Sequence, residues 1–283
     1  MLGKLMKYEW RGYKVSLIVI YAILISTTLL TAILINTINP NYDEVVEGFS
    51  VTLTILSVLL YYFGIIGCTI GSMLTIAIRF YKTCYTDQGY LTHTLPASPA
   101  QILASKVITA ILQFISVIIG IITSVCILIK AFIMQMIKIG EYDAVDFSLS
   151  SFFAEVNNGF AEEFGISFTA YIILILVLAL LSCISAIITT FGCVSLGQLF
   201  TKHRIIGAIV AYFGVNTILK IVSFIASIPM FIRISEAEAT NQILTPFEAM
   251  APTFIITMVI SVVMAIVMYF VSLHMMTKKL NLE

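Results

Sequence analysis

Charge is scarce in this sequence. Asp, Glu, Lys and Arg make up 11% of 283 residues, against about 25% in an ordinary soluble domain, while 60% are apolar. Too few polar side chains are present to cover a water-facing surface. Acid groups and imidazoles are also missing from the long apolar blocks. That excludes an intramembrane aspartyl protease, which needs two carboxyls at membrane depth, and argues against a carboxylate proton relay. Neither HExxH nor GxxxxGK[ST] occurs, so the chain does not bind zinc or hydrolyse ATP by those routes. Cys68, Cys84, Cys126, Cys183 and Cys193 stand apart and form no CxxC pair, which leaves them as small apolar packers. His93, His203 and His274 fall at the edges of apolar blocks, where solvated interfacial imidazoles are expected. The net charge of zero gives no hint of a nucleic-acid partner.

Long apolar runs are present instead. A helix needs about 20 apolar residues to cross a bilayer core. Six segments qualify: 15–37, 51–78, 107–129, 166–197, 205–228 and 253–273, with Lys220 the one charge among them. Pro40, Pro96, Pro99, Pro229, Pro246 and Pro252 are all expected outside the spans, because proline removes a backbone donor that lipid cannot replace. The fold expected is all-α and polytopic, one transmembrane domain over 1–283. The first apolar run is too long for a signal-peptide core and lacks a small-x-small cleavage site, so it reads as an anchor.

Basic residues sort to one side. Lys4, Lys7, Arg11, Lys14, Arg79, Lys82, Lys106, Lys202, Arg204, Lys278 and Lys279 fall on one face of a six-span layout; Lys130, Lys138 and Arg233 fall on the other. Acidic residues run the opposite way. Both termini are therefore expected in the cytoplasm.

Residues 1–14, MLGKLMKYEWRGYK, set Lys4, Lys7, Arg11 and Lys14 in one arc, with Leu2, Leu5, Met6, Trp10 and Tyr13 away from it. This predicts an interfacial helix lying along the membrane surface. Glu9 breaks the pattern, through either a local ion pair or a contact with another chain. On the inner side, Ser98-Pro99-Ala100-Gln101 fits a capping box and predicts a helix start two turns before lipid. Upstream, Asp87 is expected to cap a short helix running to Leu95, where Pro96 stops it. The outer segments 130–165 and 229–251 are acidic with apolar patches; a connection that long is usually ordered or functional.

Two spans carry polar or small residues at helical spacing. Thr54, Ser57, Tyr61, Gly64, Cys68, Gly71 and Thr75 share a face of the second, where Gly67 and Gly71 also make a GxxxG. Tyr212, Asn216, Lys220, Ser223 and Ser227 share a face of the fifth. Such stripes either pack helices or line a pathway. Packing suits the small residues of the second span. The pathway suits the fifth, because Asn216 and Lys220 are costly in lipid, although Lys220 sits near enough to the span's end to snorkel.

The segments LMKYEW (5–10), GYLTHTLPASPAQILASK (89–106), LGQLFTKHR (196–204) and TKKLNLE (277–283) resemble the type 2 ABC transporter permeases, in the six-span form common in Gram-positive bacteria. The layout is similar throughout, whereas the specific motifs cover only these pieces. The resemblance implies a permease that binds no cofactor itself and dimerises with a second copy or paralogue. ATP and Mg would be held by a separate cytoplasmic ATPase subunit, and the chain would sit in the bacterial plasma membrane. It implies an elbow helix at Lys4, Lys7, Glu9, Trp10 and Arg11. A coupling helix would carry Asp87, Gln88, Gly89, Tyr90, Leu91, His93 and Leu95, and cavity-facing residues would include Thr54, Ser57, Tyr61, Tyr212, Asn216, Lys220 and Ser223. Export of amphipathic or cationic peptides is the substrate class expected, with drugs or lipid-linked molecules next. A secondary transporter or channel, or a membrane scaffold or sensor, are the competing classes.

Overall fold

The computed structural model describes residues 2–37, 44–94, 96–139, 149–200, 203–240 and 245–278. Eight α-helices account for nearly all of them, and no strand occurs among the described residues. They are α1 (Leu2–Ile35), α2 (Glu44–Tyr85), α3 (Asp87–His93), α4 (Pro99–Ile139), α5 (Leu149–Phe164), α6 (Phe168–Gly197), α7 (Arg204–Ala239) and α8 (Pro246–Lys278). Six of the eight (α1, α2, α4, α6, α7 and α8) are long and apolar enough to cross a membrane. These are the six segments expected.

The helices outrun the apolar segments that announced them. The 42 residues of α2 extend about 63 Å at 1.5 Å per residue, twice the roughly 30 Å hydrocarbon core. Hydropathy marks only the part that suits lipid, whereas the hydrogen-bond ladder continues until a breaker ends it. No proline or glycine stands between Gly71 and Tyr85, so α2 runs on.

Two expectations change for related reasons. Residues 2–35 form one continuous helix, so no separate interfacial helix precedes the first span. Gly12 alone is too weak a breaker to interrupt it. Its apolar face is turned onto protein as well: Tyr13 is buried and Leu5, Met6 and Trp10 are half-buried. Pro229 and Pro252 lie inside α7 and α8 rather than beyond them. Each forfeits one backbone bond, a loss that neighbouring groups make tolerable in apolar helices. Near both prolines, the Thr253 hydroxyl donates to Met230 Sδ at 3.0 Å. The connection between α4 and α6, expected to be ordered or functional, contains the helix α5.

The chain divides into two compact units. The first comprises Met1–Ile76 and Ile108–Ser148. Here α1 buries Tyr13, Leu17, Ile20, Leu24, Thr28, Thr31 and Ile35, a stripe at steps of three and four. Thr31 Oγ1 donates to the Ser57 carbonyl at 3.1 Å, Thr54 Oγ1 to the Leu34 carbonyl at 3.1 Å, and Cys68 Sγ to the Ile20 carbonyl at 3.6 Å. The partners advance in opposite directions by equal steps, so α1 and α2 are antiparallel in one register. Tyr61 Oη and Ser124 Oγ, 2.7 Å apart, tie α2 to α4.

The second unit comprises Ala77–Val107 and Leu149–Glu283. Buried Cys193, Val215 and Met268 form the seam of α6, α7 and α8, with Leu196, Ala211, Leu219 and Met264 against it. Glycine permits two close approaches. A methyl group on Gly192 would stand 2.6 Å from Met268 Cβ, and one on Gly197 would stand 2.5 Å from the backbone nitrogen of Ala208. α5 docks on α6 through Phe160, which stacks on Phe164 at 4.1 Å and meets Tyr171 at 5.1 Å. Gly165 turns the chain between them with φ of 77°, a left-handed conformation that suits glycine. α8 opens with a capping box, Thr245 and Glu248 bonding reciprocally at 3.3 and 3.4 Å around Pro246.

Candidate functional site

The strongest candidate is the connection between α2 and α4, which carries α3. It begins with three buried residues at the end of α2: Phe80, Cys84 and Tyr85. Phe80 stacks on Phe191 of α6, with centroids 4.0 Å apart and planes 12° apart, and meets the Tyr85 ring edge-on at 5.9 Å. The Tyr85 hydroxyl donates to Ser195 Oγ at 2.8 Å, and Ser195 Oγ donates to the Phe191 carbonyl at 2.9 Å. A buried tyrosine hydroxyl needs such a partner. Aromatic packing and this bond together join the end of α2 to α6.

Thr83 gathers the other elements. Its carbonyl accepts from Thr92 Oγ1 of α3 at 2.9 Å, and its hydroxyl accepts from Lys106 Nζ of α4 at 2.6 Å. Lys106 is 3% exposed, so its ammonium depends on hydrogen bonds that water would otherwise supply. The start of α4 is fixed by the expected capping box: Ser98 N–H donates to Gln101 Oε1 and Gln101 N–H donates to Ser98 Oγ, both at 3.3 Å.

α3 is therefore held from behind and displayed in front. Gly89 is buried and Thr92 half-buried, three residues apart on its inner side. Asp87 and Gln88 are exposed, Tyr90 is 64% exposed and Leu91 70%. The helix is shorter than expected and its cap differs. Thr86 occupies the N-cap position with no side-chain cap bond, which makes Asp87 the first helical residue instead. The Thr86 hydroxyl is already donating back to the Lys82 carbonyl at 2.6 Å. His93 closes the helix, and Leu95 lies outside the described residues.

The remaining candidates separate clearly. Thr54, Ser57 and Tyr61 are buried, and their hydroxyls bond within the first unit, with Ser57 Oγ donating to the Thr54 carbonyl at 2.7 Å. That favours packing for this stripe. On α7 the opposite holds. Tyr212 is 43% exposed, Lys220 is exposed, and Asn216 and Ser223 are half-buried beside the face that packs Ala211, Val215 and Leu219. Asn216 Nδ2 donates to the Tyr212 carbonyl at 2.8 Å, which satisfies part of the amide within the helix. At the start of α1, Lys4, Lys7 and Arg11 are exposed while Glu9 and Trp10 are half-buried.

Comparison with protein families, curated proteins and solved structures finds no match.

Sequence reasoning found α3 and its exposed pair but missed what holds them. The brace is built from Phe80, Thr83 and Tyr85 at the end of α2, Phe191 and Ser195 of α6, and Lys106 of α4. The available signal was an aromatic run continuing α2 beyond its last apolar turn. Also missed was Gln113 of α4, wholly buried, whose amide atoms have no hydrogen-bond partner among the described residues. No cluster of three His, Cys, Asp or Glu suited to a metal occurs among the described residues.

Proposed function

We propose that this chain is the membrane subunit of an ATP-driven exporter, receiving mechanical work through α3 from a separate cytoplasmic ATPase. The observation that carries the reading is the two-sided character of α3. Tyr90 and Leu91 face outward from a seven-residue helix whose back is bonded to Thr83 at the end of α2, and Lys106 of α4 bonds to that same Thr83. Large apolar side chains on a short, held helix are what a partner cleft grips. A push on α3 passes to Thr83, then to Tyr85 and Ser195, and so to α6. The coupling thus has hydrogen-bonded, close-packed parts rather than a slack loop.

The basic count supports a cytoplasmic position for α3, where an ATPase would be. The stripe of exposed Tyr212 and Lys220 with half-buried Asn216 and Ser223 on α7 supports a second permease copy or paralogue, since polar groups on such a face gain from a wet or protein neighbour. Two such faces would border a translocation path, with amphipathic or cationic peptides as the cargo. An acidic outer surface would draw cationic cargo outward.

The test is co-purification. The chain, co-expressed with the phosphate-loop ATPase proposed as its partner, should emerge from detergent as a stable complex, and hydrolysis should require that ATPase. Robust hydrolysis by the purified chain alone, or no complex, would contradict the proposal.

A further inference from the structure

The first unit holds a groove of about 390 Å³ between α1 and α4, lined by Trp10, Tyr21, Leu112, Ile115, Ser116 and Ile119. The α4 residues recur at steps of three and four and present an apolar wall. Tyr21 crosses the groove. Its hydroxyl donates to the Ser116 carbonyl at 2.6 Å, with Ser116 Oγ at 2.9 Å. Its ring lies against the bare backbone of Gly120, where an added methyl would stand 2.6 Å from Cε1. Glycine at 120 is thus what lets the ring lie back.

Charge borders one end of this groove. At 100° per residue, Lys14 lies about 40° around α1 from Trp10, Lys7 about 60° and Arg11 about 100°. All three are exposed. Tyr21 lies about 20° from Trp10 and about 16 Å along the axis toward the middle of the apolar run. Trp10 itself precedes that run by five residues, the depth at which tryptophan sits among head groups. Cations therefore flank an indole at head-group level, Lys7 about 4.5 Å before Trp10 along the axis and Lys14 about 6 Å after it, and the apolar trough runs on to the Tyr21–Ser116 pair.

We infer that this groove binds an anionic phospholipid, with its head group on Lys7, Arg11 and Lys14 and one acyl chain along Leu112, Ile115 and Ile119. A zwitterionic lipid would find the same trough but would lack the net attraction of the cations. Each lysine near an anionic head group is worth about a fivefold preference.

Trp10 is the sole tryptophan, so its fluorescence reports on this groove alone. The chain should be reconstituted in vesicles of brominated phosphatidylglycerol, brominated phosphatidylcholine and mixtures of the two, with quenching read as occupancy. A reference chain with Trp10→Phe and Phe270→Trp reports an ordinary lipid-facing site, since Phe270 is 61% exposed. Expected is at least a fivefold preference for the brominated anionic lipid at Trp10 and little at the reference. Lys7→Gln, Arg11→Gln and Lys14→Gln together, at exposed positions that leave the fold intact, should reduce that preference to near unity. Gly120→Ala, which drives Tyr21 into the trough, should weaken quenching by both lipids. Equal quenching by the two lipids would overturn the inference, as would a preference that survives loss of the three cations. Quenching by neither lipid would mean that protein covers the groove, which equally overturns it.

Discussion

Tyr85 and Ser195 offer the sharpest test of the brace behind α3. Tyr85→Phe removes one donor and no volume from a site that is 3% exposed. Ser195 Oγ keeps its bond to the Phe191 carbonyl, so the loss is a single buried hydrogen bond, about 1 kcal/mol. Ser195→Ala is worse. It strands the Tyr85 hydroxyl in a dry interface, and an unpaired buried polar group costs about 1–3 kcal/mol. The double change removes both polar partners and leaves the Phe80–Phe191 stack in place, itself worth about 0.5–1.5 kcal/mol. The double variant should therefore cost less than the two single changes added together, with a coupling of about 1–2 kcal/mol. Thermal unfolding in detergent at fixed protein concentration measures each variant. Strict additivity would show that the hydroxyls do not meet in the folded protein, and the brace as described would be wrong.

Gly197→Ala should destabilise by about 1–3 kcal/mol, because its methyl meets the Ala208 backbone at 2.5 Å and backbone does not yield. Gly67→Ala has nothing within 4 Å and should be neutral or slightly stabilising in the same melts, which makes it a matched control. A cysteine at position 220 should react with a small hydrophilic reagent and become protected when cargo is present. Reaction only with a lipid-soluble reagent would assign the α7 stripe to lipid-facing or packing positions.

What the sequence made legible follows from how local each cause is. Six apolar runs appear as six long helices because crossing length is a property of composition. The Ser98–Gln101 box was readable because both bonds lie within four residues. The same pattern in Thr245-Pro246-Phe247-Glu248 was equally readable and went unused. Helix extent was less legible, since α2 and α4 continue past lipid on backbone bonds that hydropathy does not register. Pro229 and Pro252 misled for a related reason: proline weakens a helix by one bond, and neighbours along the chain and across the seam decide whether it ends there. α3 was placed correctly, but its cap position is Thr86, whose hydroxyl turns back to the Lys82 carbonyl and makes no side-chain cap bond. The brace itself joins residues 110 positions apart and has no local signature. The N-terminal stretch shows the limit from another side. Its amphipathic pattern is real, but the pattern alone does not say whether the apolar face meets lipid or protein.

Coupling through α3 rests on Tyr90 and Leu91, and the most direct measurement replaces both with Asp in the chain co-expressed with the proposed ATPase. These residues are exposed in the chain alone, so the double variant should insert and melt as the wild type does. Burying two apolar side chains of this size in a partner cleft is worth roughly 3–6 kcal/mol. Introducing two carboxylates there forfeits that gain and adds desolvation. Pull-down of the ATPase should fall more than a hundredfold and transport should cease. A variant that inserts normally, retains the ATPase and still transports would contradict the account at its centre.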